Sequence, residues 1–402
     1  MKISIIPNAF SQMSNRLFTD TSVRDDVFVS YRAIKKAAEE KGWLMATFDQ
    51  IPIKEADKVL AFNFISFPEA ILTALEIIGR SNMVAVVREP PGINSIYYDR
   101  DIQHCFGQYY TPQNNMLDNQ TSFYLGFPVS PIDTAWVPFE KRKLLVSISG
   151  GKFLIFKGSL YRERIKAIKH FQASIPEEFD MYGEGWERTS FFSYFSIYKL
   201  FSCYKGRVPS KYATMQQYKF SLCYENSSNV CGYISEKIFD SMQCGCVPIY
   251  LGAPDIEKYI PKTCFIDRRK FGSDREVEQF ILSIGKERHS GYLKEIRQYL
   301  NSEPYLERLP DRYAKKIISF LENEIKMDSN FSFVDGQRKI KVLTAMKKIS
   351  HGNFFDKHKG MMLFLKHGKL YDWVKLIKMI VEFVIQKTGI ADIITWIRVW
   401  RI

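Results

Sequence analysis

The sequence predicts an α/β chain of two consecutive parallel-sheet domains facing a cleft, followed by a basic, amphipathic helical tail. Three observations carry this. Short apolar runs alternate with helical patterns through the first third of the chain, and the same rhythm restarts near Lys143. Beyond residue 330, basic and aliphatic residues are interleaved.

Taken in order, the run Met1 to Pro7 reads as a first strand, because it is too short an apolar run for a signal peptide or an anchor. Val59–Phe62 reads as a strand, Pro68–Ile78 as a helix and Met83–Val87 as a further strand. Between 90 and 135, Pro90, Pro91, Gly92, Pro112, Gly126, Pro128 and Pro131 favour loops and short strands. The second rhythm begins with the buried strand Leu144–Ile148, then Gly150, Gly151 and Gly158, then a helix over Leu160–Phe171. The strand Phe220–Tyr224, the helix Ser235–Cys244 and the strand Val247–Leu251 follow. In that helix Ile234, Ile238, Phe239 and Met242 share a face, and Gly245 stands where a C-terminal cap belongs. The expected domains are 1–140, 141–330 and the tail 331–402.

Composition bounds the answer without naming a substrate. A chain of 402 residues buries a sizeable core, and 46% hydrophobic with 25% charged residues is ordinary for a folded protein. Its 31 Phe and 22 Tyr suit carbohydrate contact and a core equally. The net charge is +13, of which residues 331–402 hold 14 Lys and Arg against 5 Asp and Glu. Seven cysteines, an odd number, fit a reducing cytoplasmic setting as small buried hydrophobes. Cys244-Gly245-Cys246 lacks the second cysteine pair or neighbouring histidine that a metal site needs, so no metal is expected there. Glycine-rich dinucleotide and phosphate-loop fingerprints are absent from the sequence.

The chemistry concentrates between Tyr224 and Lys237. A buried strand ends, a polar loop crosses, and a helix opens with a hydroxyl, a carboxylate and a lysine. Such a helix start presents unpaired N–H groups and partial positive charge, which favour a pyrophosphate. Lys237 adds a full charge, Glu236 accepts from a ribose diol, and Asn226 and Tyr233 orient sugar or phosphate oxygens. The plainer alternative has Ser235 capping the helix, Glu236 complementing its dipole and Lys237 lying solvated.

The run Tyr218–Asn226, then Gly232–Lys237, then Gly245–Gly252, continued by Ile260-Pro261, Phe265–Asp267 and Phe271, resembles the donor-binding signature of glycosyltransferase family 10, the α-1,3/4-fucosyltransferases. Asp180-Met181-Tyr182-Gly183 is similar to the family's strand and glycine ahead of that signature. The resemblance implies a GT-B-like fold with an N-terminal acceptor domain and a C-terminal donor domain. It implies inverting transfer of fucose from GDP-fucose to a hydroxyl of an oligosaccharide acceptor. Arg164, with Arg162 as its rival, matches the arginine that meets the donor phosphates. Tyr224, Asn226, Tyr233, Ser235, Glu236 and Lys237 complete the donor set. Glu89, directly after the strand Met83–Val87, matches the glutamate that acts as base, although Arg88 and Pro90 replace the usual flanks. No metal or other cofactor is expected.

The resemblance to family members without an anchor implies a bacterial enzyme of lipopolysaccharide or capsule synthesis, on N-acetylglucosamine or a related sugar. Residues 361–402 are expected to attach peripherally to the inner face of the cytoplasmic membrane, with a packed helix or a homodimer seam as the alternative reading. Nucleic acid is not an expected partner. Two other functions stay open: a relative using another nucleotide sugar, and a non-catalytic glycan-binding or scaffold protein of the same fold.

Overall fold

The computed structural model describes residues 1–114, 117–119, 121–132, 135–152, 154, 156–186, 201–323, 334–351, 361–362, 364–369 and 372–373. The chain divides into two compact units. One comprises Met1–Asp20, Tyr31–Leu125 and Ala314–Ala391; the other comprises Thr21–Ser30, Gly126–Tyr313 and Asp392–Ile402. Most of residues 361–402, the stretch expected to attach to the membrane, lies outside the described residues.

The first unit opens with β1 (Lys2–Ile6), α1 (Val29–Glu39), β2 (Leu44–Thr47) and β3 (Lys58–Phe62). It continues with α2 (Pro68–Ile77), β4 (Met83–Val86), β5 (Gln108–Thr111) and β6 (Ser122–Tyr124). These strands form one sheet in the order β2-β1-β3-β4-β5-β6. Every adjacent pair is parallel. All four residues of β4 are buried, as a strand covered on both faces requires. Pro68 at the first turn of α2 suits a position whose N–H has no helical partner.

The second unit contains β7 (Lys143–Ile148), α3 (Tyr161–Ser174), β8 (Phe179–Tyr182), α4 (Lys211–Met215) and β9 (Tyr218–Tyr224). Then come α5 (Glu236–Gln243), β10 (Val247–Leu251), β11 (Ile266–Asp267), α6 (Asp274–Leu282) and α7 (Lys286–Leu300). The sheet order is β11-β10-β9-β7-β8, again parallel throughout. Numbered from β7, that order is 2-1-3-4-5, so the connections reverse direction between β7 and β9. In open α/β sheets the crevice beyond the strand ends at such a reversal is where ligands bind.

After α8 (Pro310–Glu322), α9 (Val334–His351) packs on α2 and on the turn Arg100–Gln103. Lys339 is paired with Asp99 at 2.7 Å and with Asp101 at 2.6 Å, and Lys348 with Glu69 at 2.5 Å. Through these two lysines α9 is tied to acidic groups of the first unit.

The expected elements stand where the patterning put them, with small differences at their ends. β9 begins at Tyr218, two residues earlier than expected, because Tyr218 pairs with Lys143 and its ring is buried. α5 ends in a Schellman cap: the Gly245 N–H reaches the Met242 carbonyl, and the Cys246 N–H reaches that of Ser241. Gly245 has φ of 63°, and a Cβ there would meet the Trp136 ring at 2.5 Å. Six of the seven cysteines are buried and all are free thiols, as expected of small core residues.

Candidate functional site

The reversal point of the second sheet holds a cavity of about 580 Å³. Ile148, Ser149 and Gly150 at the end of β7, Gly183 and Glu184 after β8, Ser221–Cys223 of β9, and Glu236, Lys237 and Asp240 of α5 all line it. Val23, Arg24, Val27, Arg207, Val208, Lys211 and Met215 complete the wall, and every lining residue belongs to the second unit. Gly183 is required by this arrangement. Its φ is 147°, and a Cβ would lie 1.8 Å from the Ser149 carbonyl oxygen, closing the space between β7 and β8. A larger cavity of about 710 Å³ lies in the first unit, lined mainly by Phe10, Phe48, Ile53, Phe67 and Ile77, and none of the predicted site residues lines it.

The organising group is one the sequence reading did not single out. Glu225, the residue after β9, is fully buried. Its carboxylate accepts from the Ser235 N–H at 2.8 Å, from the Ser235 hydroxyl at 2.9 and 2.7 Å, and from the Lys237 ammonium at 3.0 Å. Lys237 also donates to the Ser235 oxygen at 2.9 Å. Ser235 occupies the cap position of α5 but makes no side-chain capping bond, because its hydroxyl is held by Glu225. The plainer alternative, a capping serine beside a solvated lysine, is thereby excluded. Lys237 is only a quarter exposed, with its counter-charge behind it and the cavity in front. Burial pulls the ammonium down, and Glu225 and Glu236 push it back above its ordinary value, so it stays charged.

Arg164 is buried in the first turn of α3. Its Nη2 donates to the carbonyls of Tyr224 at 2.6 Å and Glu225 at 3.1 Å, pinning the end of β9, and its guanidinium lies 5.2 Å from the centre of the Tyr161 ring. Burial lowers its pKa. Its rival Arg162 is exposed. Tyr233 is buried edge-on to Phe127, with 5.7 Å between ring centres. Asn226 is half-buried, and its carbonyl accepts from the Leu160 N–H at 3.2 Å. Tyr224 points elsewhere: it lines a separate cavity of about 300 Å³ with Arg268, Arg269 and Asp274. Its hydroxyl faces Arg268 without reaching hydrogen-bond geometry. Of the predicted donor set, Glu236 and Lys237 line the cavity wall, while Ser235 supports Lys237 through Glu225.

Glu89 belongs to the first unit, three residues past the end of β4, and is half-buried. The Tyr98 hydroxyl donates to its carbonyl at 2.7 Å, and the neighbouring Arg88 N–H is held by Asn63 at 2.9 Å. Burial raises the Tyr97 and Tyr98 hydroxyl pKa values, and the Glu89 charge adds to that rise. The backbone carrying Glu89 is thus fixed from two sides.

The metal-free expectation takes the sequence to contain no Asp-x-Asp triplet, which is incorrect: Asp99-Arg100-Asp101 is one, with a spacing that suits a divalent cation. Both its carboxylates are bound to Lys339. Among the described residues no group of three or more His, Cys, Asp or Glu is placed to hold a metal.

Deeper in the cavity Asp240 is buried and paired with Lys211. Burial, with Glu236 beside it, pushes the Asp240 carboxyl up to about 6 against the pull of Lys211. The folded chain therefore keeps a proton that the unfolded chain releases near pH 4. This group's contribution to stability is full below about pH 4 and falls as pH rises through 6. Asp240→Asn should remove that fall. The melting temperature of the variant minus that of the wild type should climb between pH 4 and 7, by the equivalent of roughly 2 kcal/mol. A difference that is flat with pH contradicts the assignment.

Residues 155–301 match the family described as glycosyltransferase family 10 (fucosyltransferase), C-terminal part. The matched stretch lies within the second unit and includes Glu225, Glu236 and Lys237, so this part of the chain is similar to a family 10 domain. An α-(1,4)-fucosyltransferase of Arabidopsis thaliana is 38% identical over 74 residues, 18% of this chain and 18% of that protein. The α-(1,3)-fucosyltransferase FucT of Helicobacter pylori is 28% identical over 126 residues, 30% of this chain and 26% of that protein. The aligned stretches span about a fifth to a quarter of these relatives' own length. A crystal structure of an α1,3-fucosyltransferase superposes with a TM-score of 0.49 at 16% identity, covering 83% of this chain and 93% of that one.

Proposed function

We propose that the chain is an inverting glycosyltransferase that moves fucose from GDP-fucose to a hydroxyl of a saccharide acceptor. The observation that carries this is the cavity at the sheet reversal, where Lys237 fronts the space with Glu225 behind it at the start of α5. That start offers unpaired N–H groups and a full positive charge to a diphosphate. Glu236, one position earlier on the same wall, is placed for a ribose diol. The match of residues 155–301 to a fucosyltransferase family supports fucose as the transferred sugar.

The reaction is a single displacement. Glu89 takes the proton of the acceptor hydroxyl as that oxygen forms a bond to the anomeric carbon. The bond from that carbon to the β-phosphate oxygen breaks, and GDP leaves with the electron pair. Lys237 and the N-terminus of α5 stabilise the growing charge, by about 3 kcal/mol for a well-placed donor, and Arg164 fixes the strand end from which this loop departs. With the charge met by protein cations, turnover needs no metal. The acceptor in this reading is an N-acetylglucosamine-containing glycan of lipopolysaccharide or capsule, met by an enzyme held peripherally at the cytoplasmic face of the membrane. The sequence of residues 361–402 is the support for that attachment.

The test is a donor screen by mass spectrometry with free GlcNAc- and Gal-containing acceptors, run with and without excess chelator. Fucose transfer from GDP-fucose should appear and persist in chelator. Loss of transfer in chelator, restored by a divalent cation, contradicts the metal-free step. No transfer from any nucleotide sugar favours a glycan-binding or scaffold role.

A further inference from the structure

The cavity wall includes a segment far from the family 10 match. Thr21–Ser30 follows β1 in sequence and runs into the start of α1, yet it belongs to the second unit and contributes Val23, Arg24 and Val27 to the wall. It is bolted there. The Asp25 carboxylate, almost fully buried, accepts from the Ser210 hydroxyl at 2.8 Å. It also accepts from the Lys211 N–H at 3.2 and 3.0 Å, the first N–H of α4. Arg24 adds a bond from Nη1 to the Val208 carbonyl at 3.3 Å. Asp25 and Asp26 both adopt left-handed backbone, with φ of 58° and 50°. For residues with a side chain this conformation costs on the order of 1 kcal/mol each and persists where surrounding contacts determine it.

What this geometry achieves is the placement of Arg24. Its Nε is paired with Asp25 at 3.1 Å, and its side chain is about half exposed on the cavity wall. Lys237 shows the same design: a cation on the wall whose carboxylate partner, Glu225, does not line the cavity. Asp25 likewise does not line it. The ion-pair partners of both cations, Asp25 and Glu225, thus stand off the wall, while Glu236 beside Lys237 lines it. The other wall cations differ, because Lys211 and Arg207 are paired with Asp240 and Glu184, which line the cavity themselves.

We propose that Arg24 is a donor-binding residue that contacts the diphosphate opposite Lys237, and that Asp25 is the positioning residue that fixes it. This rests on the donor reading of the cavity and adds to it a cation from outside residues 155–301. Because Thr21–Ser30 is held at a few points over a short helix, its attachment and donor affinity are coupled.

The experiment is isothermal calorimetry of the full chain with GDP, with guanosine affinity read by competition. Arg24→Ala should weaken GDP at least tenfold and leave guanosine within twofold, and Arg24→Lys should recover part of the loss. Asp25→Ala should weaken GDP to a similar extent, and the double variant should be no weaker than Arg24→Ala alone, because Asp25 acts through Arg24. Equal GDP affinity in Arg24→Ala and wild type overturns the proposal, as does additive loss in the double variant. If guanosine weakens as much as GDP, the effect is structural and the contact is refuted. Wild-type protein that binds no nucleoside diphosphate refutes the donor reading itself, an outcome distinct from normal GDP binding by the Arg24 variant.

Discussion

Glu225→Ala should abolish GDP binding and lower stability by about 3 to 5 kcal/mol, the usual cost of removing one partner of a buried ion pair. Three groups lose their acceptor together: the Ser235 N–H, the Ser235 hydroxyl and the Lys237 ammonium. Lys237 is then a buried charge with its counter-ion gone, and the first turn of α5 loses the bond that sets its angle to β9. Urea denaturation and calorimetry measure the two effects separately. Adding Lys237→Met to Glu225→Ala should restore much of the stability, since the uncompensated charge is gone, but none of the GDP affinity. If Glu225→Ala binds GDP normally, the carboxylate does not organise the site, and the Lys237 arrangement has no functional weight.

The second large effect is expected at Glu89. Glu89→Gln keeps the shape of the side chain and removes its basicity, so turnover should fall by about 10² to 10⁴. GDP affinity should stay within twofold, since the donor cavity is built from the second unit alone. The fold should persist as well, because the contacts that hold this backbone go through the Glu89 carbonyl and the Arg88 N–H, which the substitution leaves in place. Single-turnover kinetics with saturating donor distinguishes a lost base from slow product release. Near-normal turnover in Glu89→Gln places the base elsewhere.

Much of the fold was legible because parallel strands buried on both faces read as continuous apolar runs, as in Met83–Val86 and Leu144–Ile148. The cap at Gly245 was legible for a similarly local reason, since a helix end needs a residue that tolerates positive φ. The site was legible in part. Glu236 and Lys237 follow from a helix start after a strand and loop, which is a local pattern. Glu225 was not singled out because its meaning depends on the loop 226–234 folding back to bring Ser235 and Lys237 to it, and nothing in its spacing shows that return. Tyr224, expected with the donor, points into the separate cavity beside Arg268, because the strand alternates its side chains between faces. Arg24 was invisible for a further reason: its place on the wall is set by Asp25 reaching residues 185 and 186 positions away.

The central claim is that a nucleoside diphosphate sits against the start of α5, and calorimetry of GDP with wild type and Lys237→Ala tests it most directly. The claim predicts measurable binding to the wild type and at least a tenfold loss in the variant at a temperature where both are folded, the variant melting lower because buried Glu225 loses its counter-ion. Equal affinity in the two proteins contradicts it.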